Sequence, residues 1–441
     1  MPFCSTDVPR WQMFAADALM THPGDIIAHA GMAVEHGRIM AVGPVDQLRS
    51  RFPEMAEQHF PGHILCPGFV NAHTHLELSF LRGKIPGPIA FPDWVLQLFA
   101  EMPQSSDAAD VITNAVKNGV AECMRFGVTT VGDITRWPEF TRSALAGGPL
   151  RVVSFGEITA LGKRRDFLQA RLNAALNNQA AGEYVSIGVS PHAPYSVEGP
   201  ALQQVVTAAE SHQVPLAMHL AENIEEGAFL ATLDGPLGRS WPFMQKLDIL
   251  DEHVPRFVGG PIRWGRQYGL LADKNLKNKA GLRAIPIVLA HVNYADDAEL
   301  KILADSGASV AWCPRTHTYF GHHRRGEHPW QKMLERSIPV CLATDSLASN
   351  PDLSLLHEAR HVWQCHPQIS PVVLMEMITT RPAQALGLSE HIGRLAAGFS
   401  ADAVLLPLDP STGTDSAAIC AAMVHIAPEP AAVWVMGRQV K

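Results

Sequence analysis

His63-Ile64-Leu65-Cys66-Pro67-Gly68-Phe69-Val70-Asn71-Ala72-His73-Thr74-His75 is an apolar run that ends on two histidines. A strand over residues 64–73 is expected, because a short continuous apolar run fits a strand buried on both faces. Side chains two apart on a strand point to the same side. His73 and His75 can therefore enter one pocket and meet one ion. Pairs at this spacing also arise by chance in a chain with 21 histidines, so the assignment needs further residues.

Seven more apolar runs follow, over residues 129–133, 152–157, 186–191, 216–220, 287–291, 309–313 and 340–345. Helical patterns over 108–125, 200–212, 297–306 and 371–386 lie between them. Eight apolar strands, each followed by a crossover, are the pattern of a closed (β/α)8 TIM-type barrel. An open doubly wound sheet is the competing α/β architecture, and the Gly-rich loop that would follow its first strand is absent. A barrel takes roughly 250 residues or more, and the chain has 441, which leaves room for a smaller module. Residues 25–42 read as short strands separated by Gly31 and Gly37, with a hairpin over 32–42. Residues 402–406 and 432–438 have the same character. Pairing of the two ends gives one small β-domain from 1–62 and 392–441, with the barrel over 63–391 between them. Two independent β appendages are the alternative. The long connection 223–284, rich in Gly, Pro and Trp, reads as a lid or specificity insert.

Composition narrows the class. With 47% apolar residues the chain can bury a large core. The formal net charge is −8 and the basic residues are scattered. Nucleic acid as a main partner is not expected, because phosphate binding needs a clustered basic face. No run of eighteen apolar residues marks a membrane span, and the start of the chain lacks the pattern of a secretory signal. Seven dispersed cysteines without a CxxC pair read as reduced, mostly buried thiols of a cytoplasmic protein.

The polar residues fall at the C-terminal ends of the expected strands, where barrel active sites are assembled. His73 and His75 end the first, His219 the fifth, His291 the sixth and Asp345 the eighth; His192 follows the fourth. Burying such a set without a metal would cost desolvation at each group. Three histidines and a carboxylate, His73, His75, His219 and Asp345, suit one divalent metal, Zn²⁺, and Fe²⁺ also tolerates the set. A bound metal lowers the pKa of the water it holds toward about 7. Glu222, three residues after His219, can shuttle protons, and His291 or Asp345 can orient or deprotonate the water. The competing readings are a helix cap or an exposed carboxylate for Glu222 and a helix N-cap for Asp345.

Asn71-Ala72-His73-Thr74-His75-Leu76-Glu77, His219-Leu220-Ala221-Glu222, His291 and Thr344-Asp345-Ser346-Leu347-Ala348-Ser349-Asn350 resemble the amidohydrolase superfamily. The likeness is to its triazine hydrolase and nucleobase deaminase branch. It extends to Gly393-Arg394-Leu395, Gly398, Ala401 and Asp402. The resemblance implies a β-sandwich formed by the two chain ends beside the barrel. It also implies metal ligation by His73, His75, His219 and Asp345, proton shuttling by Glu222 and assistance from His291. Ser190-Pro191-His192-Ala193-Pro194-Tyr195 matches too and implies a substrate contact for His192. Leu76-Glu77-Leu78-Ser79 and Cys313-Pro314-Arg315-Thr316-His317 look most like aminodeoxyfutalosine deaminases, with Glu77 as a second substrate contact. The implied activity is hydrolytic deamination of an adenine-like nucleoside, a small heterocycle, by a protein that is commonly a homo-oligomer in this family. Chloride displacement from a triazine-like ring is the alternative, and an inactive binding scaffold is a third reading that the filled ligand positions disfavour. The fourth strand lacks the lysine that bridges two metals in binuclear relatives, which favours a single metal. Glu157, ending the third strand, is read as hydrogen-bonding locally rather than bridging a second metal. The run of His317, His322, His323, Arg324, Arg325 and His328 is read as a solvated basic loop.

Overall fold

The computed structural model describes residues 11–103, 107–179, 182, 184–274 and 284–441. Cys4 and residues 275–283 of the long connection lie outside them. Among the described residues the strands form two sheets.

The first sheet has seven strands, drawn from both ends of the chain. The early strands are β1 (Trp11–His22), β2 (Asp25–Glu35), β3 (Arg38–Pro44) and β4 (Ala56–Pro67). The second has eight, starting with β5 (Phe69–Thr74), β6 (Val128–Thr135), β7 (Arg151–Ile158) and β8 (Val185–Pro191). It continues through β9 (Leu216–Leu220), β10 (Ile287–His291), β11 (Ser309–Trp312) and β12 (Val340–Leu342). The chain then returns to the first sheet with β13 (Ala403–Pro407), β14 (Ala432–Val435) and β15 (Arg438–Gln439).

The eight-stranded sheet is parallel, in order from β5 to β12. Its two edges meet at a polar seam. Asn71 Nδ2 donates to Thr344 Oγ1 at 2.7 Å, Thr74 Oγ1 donates to the Asp345 carbonyl at 2.8 Å, and the Asp345 amide donates to the His73 carbonyl at 3.2 Å. Inside, Ala72, Phe155, Ala217, Val288, Ala311 and Ala343 form one buried cluster. Residues from non-neighbouring strands touch in this way only on the inner face of a closing sheet. Full burial of a side chain such as Phe155 contributes about 1.5–3 kcal/mol. The barrel read from the eight apolar runs is the observed fold.

The opening run differs from the reading in one respect. It is two strands rather than one. Residues 64–67 finish β4 in the seven-stranded sheet, and the barrel strand begins at Phe69. Gly68 makes the crossing, and a Cβ there would collide with the Thr129 side chain. The seven-stranded sheet runs β15-β14-β13-β4-β1-β2-β3. β13 pairs antiparallel with β4, so the two chain ends do form one sheet. Gly31 lies within β2 and separates no strands. Asp402 ties this sheet to the barrel: its carbonyl accepts from the Gly68 amide at 2.9 Å, and its Oδ2 faces Arg151 Nη2 at 3.3 Å.

The helix Ala108–Arg125 buries Ile112, Ala115, Val116, Gly119 and Cys123 on one face. Gly119 allows it to lie against the 3-10 turn Leu76–Leu81, since a Cβ would sit 2.6 Å from Ser79 Oγ. The helix Asp297–Ser306 starts on a reciprocal cap, with the Glu299 amide donating to Asp296 and the Asp296 amide to Glu299. Residues 371–386 form two short helices, Pro371–Glu376 and Thr380–Ala385, where one was read. Among the described residues no helix is long and apolar enough to cross a membrane. Of the described cysteines, Cys66, Cys123, Cys313, Cys341 and Cys420 are buried free thiols and Cys365 is exposed.

Candidate active site

The C-terminal ends of the barrel strands deliver the site, and the backbone is strained there. β5 carries an irregularity between Asn71 and Thr74, as bulges often do beside active sites. His291 (φ 70°) and Asp345 (φ 57°) hold left-handed conformations uncommon for residues with a Cβ. Each such residue costs about 1–3 kcal/mol, and such strain concentrates at functional sites.

His73, His75 and His219 converge, with one ring nitrogen of each within 4.8 Å of the others. His75 Nε2 lies 3.2 Å from His219 Nε2. Two nitrogens bound tetrahedrally to one zinc stand about 3.4 Å apart, given bonds of about 2.1 Å. His219 Nδ1 bonds the His192 carbonyl at 2.9 Å, so in the neutral ring it is the proton donor and Nε2 keeps its lone pair. Both ring nitrogens of His73 are buried and, among the described residues, have no hydrogen-bond partner. Asp345 Oδ1 sits 3.6 Å from His75 Nε2 and 3.7 Å from His73 Nε2, and its Oδ2 accepts from Ser349 Oγ at 2.7 Å. Burial lowers the pKa of His75 to about 3 and that of His219 well below its ordinary value. Neutral imidazoles with lone pairs facing one another and a carboxylate fit a divalent cation at their centre.

Glu222 and His291 stand beside this cluster, with Glu222 Oε1 3.6 Å from His291 Nε2. Both are buried. Burial, then the fields of Asp345 and Glu226, push the Glu222 carboxyl well above the usual range. Burial lowers His291 to about 3. His192 bonds Ser196 Oγ through Nδ1 at 2.7 Å and turns Nε2 toward Glu157 Oε2 at 3.9 Å. Glu77 also lines the cavity, and its carboxylate accepts from Thr135 Oγ1 at 2.6 Å and from the Arg136 amide at 3.0 Å.

The cavity above these groups measures about 170 Å³. Its inner end holds His75, His219, Glu222, His291 and Asp345. Its outer walls are apolar: Phe91, Trp94, Val95 and Leu98 from the helix Phe91–Glu101, and Trp241, Phe243, Met244 and Leu247 from the long connection. The described part of that connection therefore shapes the pocket. Arg136 and Arg164 supply positive charge at one side, with Glu157 and Thr159 nearby.

The loop after β11 corrects the sequence reading in part: His323, Arg324 and Arg325 are exposed, as read. His317, His322 and His328 are buried, not solvated. His328 stacks on Trp312 with ring centroids 4.7 Å apart, and its Nε2 bonds the His291 carbonyl at 2.8 Å. Tyr294 Oη bonds His322 Nδ1 at 3.0 Å. These imidazoles stay neutral, because burial holds His328 near about 3 and His322 near about 4. A neutral imidazole packs as an aromatic ring, which a count of basic letters does not reveal. Sequence reasoning also passed over Ser349 and Ser196, whose hydroxyls anchor Asp345 and His192.

An eight-stranded barrel with histidines and an aspartate gathered at its C-terminal mouth is the architecture of a metal-dependent hydrolase. The chain belongs to the amidohydrolase family, whose profile matches residues 64–440. A second profile, for the bacterial imidazolonepropionase-like composite domain, matches residues 30–54. A 5-methylthioadenosine/S-adenosylhomocysteine deaminase of Thermodesulfovibrio yellowstonii is 25% identical over 402 residues, covering 88% of this chain and 83% of its own. An aminodeoxyfutalosine deaminase of Deinococcus radiodurans is 27% identical over 371 residues, covering 82% and 83%. Among solved structures, Helicobacter pylori aminofutalosine deaminase in complex with methylthio-coformycin superposes with a TM-score of 0.79 at 20% identity. That match covers 98% of this chain and all of the other. A mutant of the atrazine chlorohydrolase TrzN from Arthrobacter aurescens, complexed with zinc and atraton, gives 0.77 at 19% identity, covering 97% and 94%. The two structural likenesses show the shared fold.

Proposed function

We propose that this protein is a mononuclear metal-dependent deaminase that replaces the amino group of an adenine-like nucleoside with oxygen and releases ammonia. The observation that carries the reading is the buried Glu222 carboxyl, 3.6 Å from His291 and beside the converged histidines. His73, His75, His219 and Asp345 hold the metal, and Zn²⁺ suits this donor set. When bound, such a metal makes water nucleophilic near neutral pH by lowering its pKa toward about 7. Glu222 takes one proton from the attacking water and gives it to the ring nitrogen beside the reacting carbon; it then takes the second from the hydroxyl so added and gives it to the amine, which leaves as ammonia as the C–N bond breaks and the C=O bond forms. His291 hydrogen-bonds the incoming oxygen. His192 and Glu77 line the cavity where the heterocycle and its sugar enter. The apolar outer walls accept a bulky substituent beyond the ring. Strand β8 contains no lysine, which supports a single metal.

The likeness to a triazine chlorohydrolase supports a second reading, chloride displacement from a chlorinated triazine. Zinc-loaded protein incubated with adenosine, 5′-methylthioadenosine, aminodeoxyfutalosine, aminated pterins and chlorotriazines separates the two. Ammonia from a purine nucleoside is expected. Chloride from a triazine without ammonia from any purine would transfer the assignment to the second reading, and silence across the panel would sink both.

A further inference from the structure

Glu222 is carried by the turn that follows β9, outside the sheet, where no strand ladder fixes it. Ala221, just before it, holds a left-handed φ of 51°. Such a backbone is unfavourable for a residue with a Cβ and needs to be held. The grip comes from Glu226, whose side chain is wholly buried. Glu226 Oε2 accepts from the Ala221 amide and Oε1 from the Asn223 amide, each at 2.9 Å. The two oxygens thus hold the amides on either side of Glu222. From the opposite side, Asn293 Nδ2 donates to the Glu222 carbonyl at 3.0 Å, and the Asn293 amide donates to the Ala221 carbonyl at 2.9 Å.

Glu226 is the first residue of the short helix Glu226–Thr232, yet its carboxylate reaches backward, away from that helix. A carboxylate brought out of water is costly unless hydrogen bonds meet it. Both of its described side-chain bonds go to the turn that presents Glu222. We propose that Glu226 is a positioning residue that aims the Glu222 carboxylate at His291 and the reacting centre, by clamping the amides flanking it. The proposal rests on the reading of Glu222 as the proton carrier.

Glu226→Gln tests it, because the amide keeps the shape but offers one acceptor oxygen where two amides need one each. In the crystal structure of E226Q the 221–223 turn shifts and the 3.6 Å approach of Glu222 to His291 is lost. With the best nucleoside from the substrate panel, kcat falls about 10- to 100-fold, in line with a misplacement of about 1 Å. KM and metal content stay near wild type. The double variant E222Q/E226Q is no slower than E222Q alone, since both changes act on one group. An unmoved turn in E226Q overturns the proposal without reference to any substrate. So do wild-type kcat in E226Q, or losses that add to those of E222Q. If E222Q itself turns over normally, the role given to Glu222 fails first and this proposal goes with it. Should E226Q not accumulate as folded protein, Glu226→Asp keeps the charge but shortens the reach. The same shifted turn and lowered kcat are then expected, and full activity in E226D refutes the clamp.

Discussion

Replacing Glu222 by Gln isolates the proposed proton transfer from metal binding and from the fold. Glu222 is 3% exposed and its Oε1 lies 3.6 Å from His291, so an isosteric amide fits the same space. What the amide cannot do is accept the water's proton. A positioned acid–base group contributes about 10²–10⁴ in rate, which corresponds to about 2.7–5.5 kcal/mol of barrier. E222Q is therefore expected to lose that factor in kcat while KM and metal content stay within about threefold of wild type. Stability moves the other way in metal-free protein. Burial raises the Glu222 pKa, so the folded state binds a proton that the unfolded state has already released. Its stability contribution is complete below the unfolded-state value and is lost as pH rises toward the folded-state value. The amide removes that loss, so metal-free E222Q should unfold at the same temperature as wild type or higher at pH 7, with the difference closing near pH 4. Ammonia release, elemental analysis and thermal unfolding at the two pH values measure all three. Wild-type turnover with metal in place, or loss of the metal, would refute the role assigned to Glu222.

His219→Ala removes one of three converging imidazoles, and elemental analysis should show metal content well below that of wild type; full retention would contradict its assignment as a ligand. Ser349→Ala frees Asp345 Oδ2 from its 2.7 Å hydrogen bond. Loss of such an outer partner typically costs about 10- to 100-fold in metal affinity, readable by competition with a fluorescent chelator. Glu358→Ala strips the largely buried Arg315 guanidinium of a 2.7 Å ion pair while leaving Asp352 at 2.8 Å, and it also removes the acceptor of the Arg315 amide and of Asn350 Nδ2. Breaking a buried pair costs about 3–5 kcal/mol, and a loss within that range is expected in a denaturant titration.

The barrel was legible because its strands are buried on both faces and so appear as unbroken apolar runs. β9 and β10 begin and end where the runs 216–220 and 287–291 do. The convergence of His73, His75 and His219 was legible because barrel geometry gathers strand ends, and polar letters closing apolar runs mark that rim. β1 was not legible. Its Trp-Gln-Met-Phe-Ala-Ala-Asp-Ala-Leu-Met mixes strong helix formers with apolar letters, and pairing with β2 and β4 decides its state. Arg142 is 1% exposed, with its guanidinium spent on Ser154, Ala174, Ala175 and Asn177, and nothing local in the sequence distinguishes it from a surface arginine. Glu226 was hidden for a similar reason: an acid in a first helical turn is ordinary. Only the backward hydrogen bonds reveal its connection to Glu222.

The central claim, a deaminase that works with one metal ion at His73, His75, His219 and Asp345, is tested most directly by titrating metal-stripped protein with Zn²⁺ while following ammonia release from the best nucleoside. The account predicts no release without metal and a linear rise that breaks at one equivalent per chain. A break at two equivalents, or release that is indifferent to metal, would contradict it.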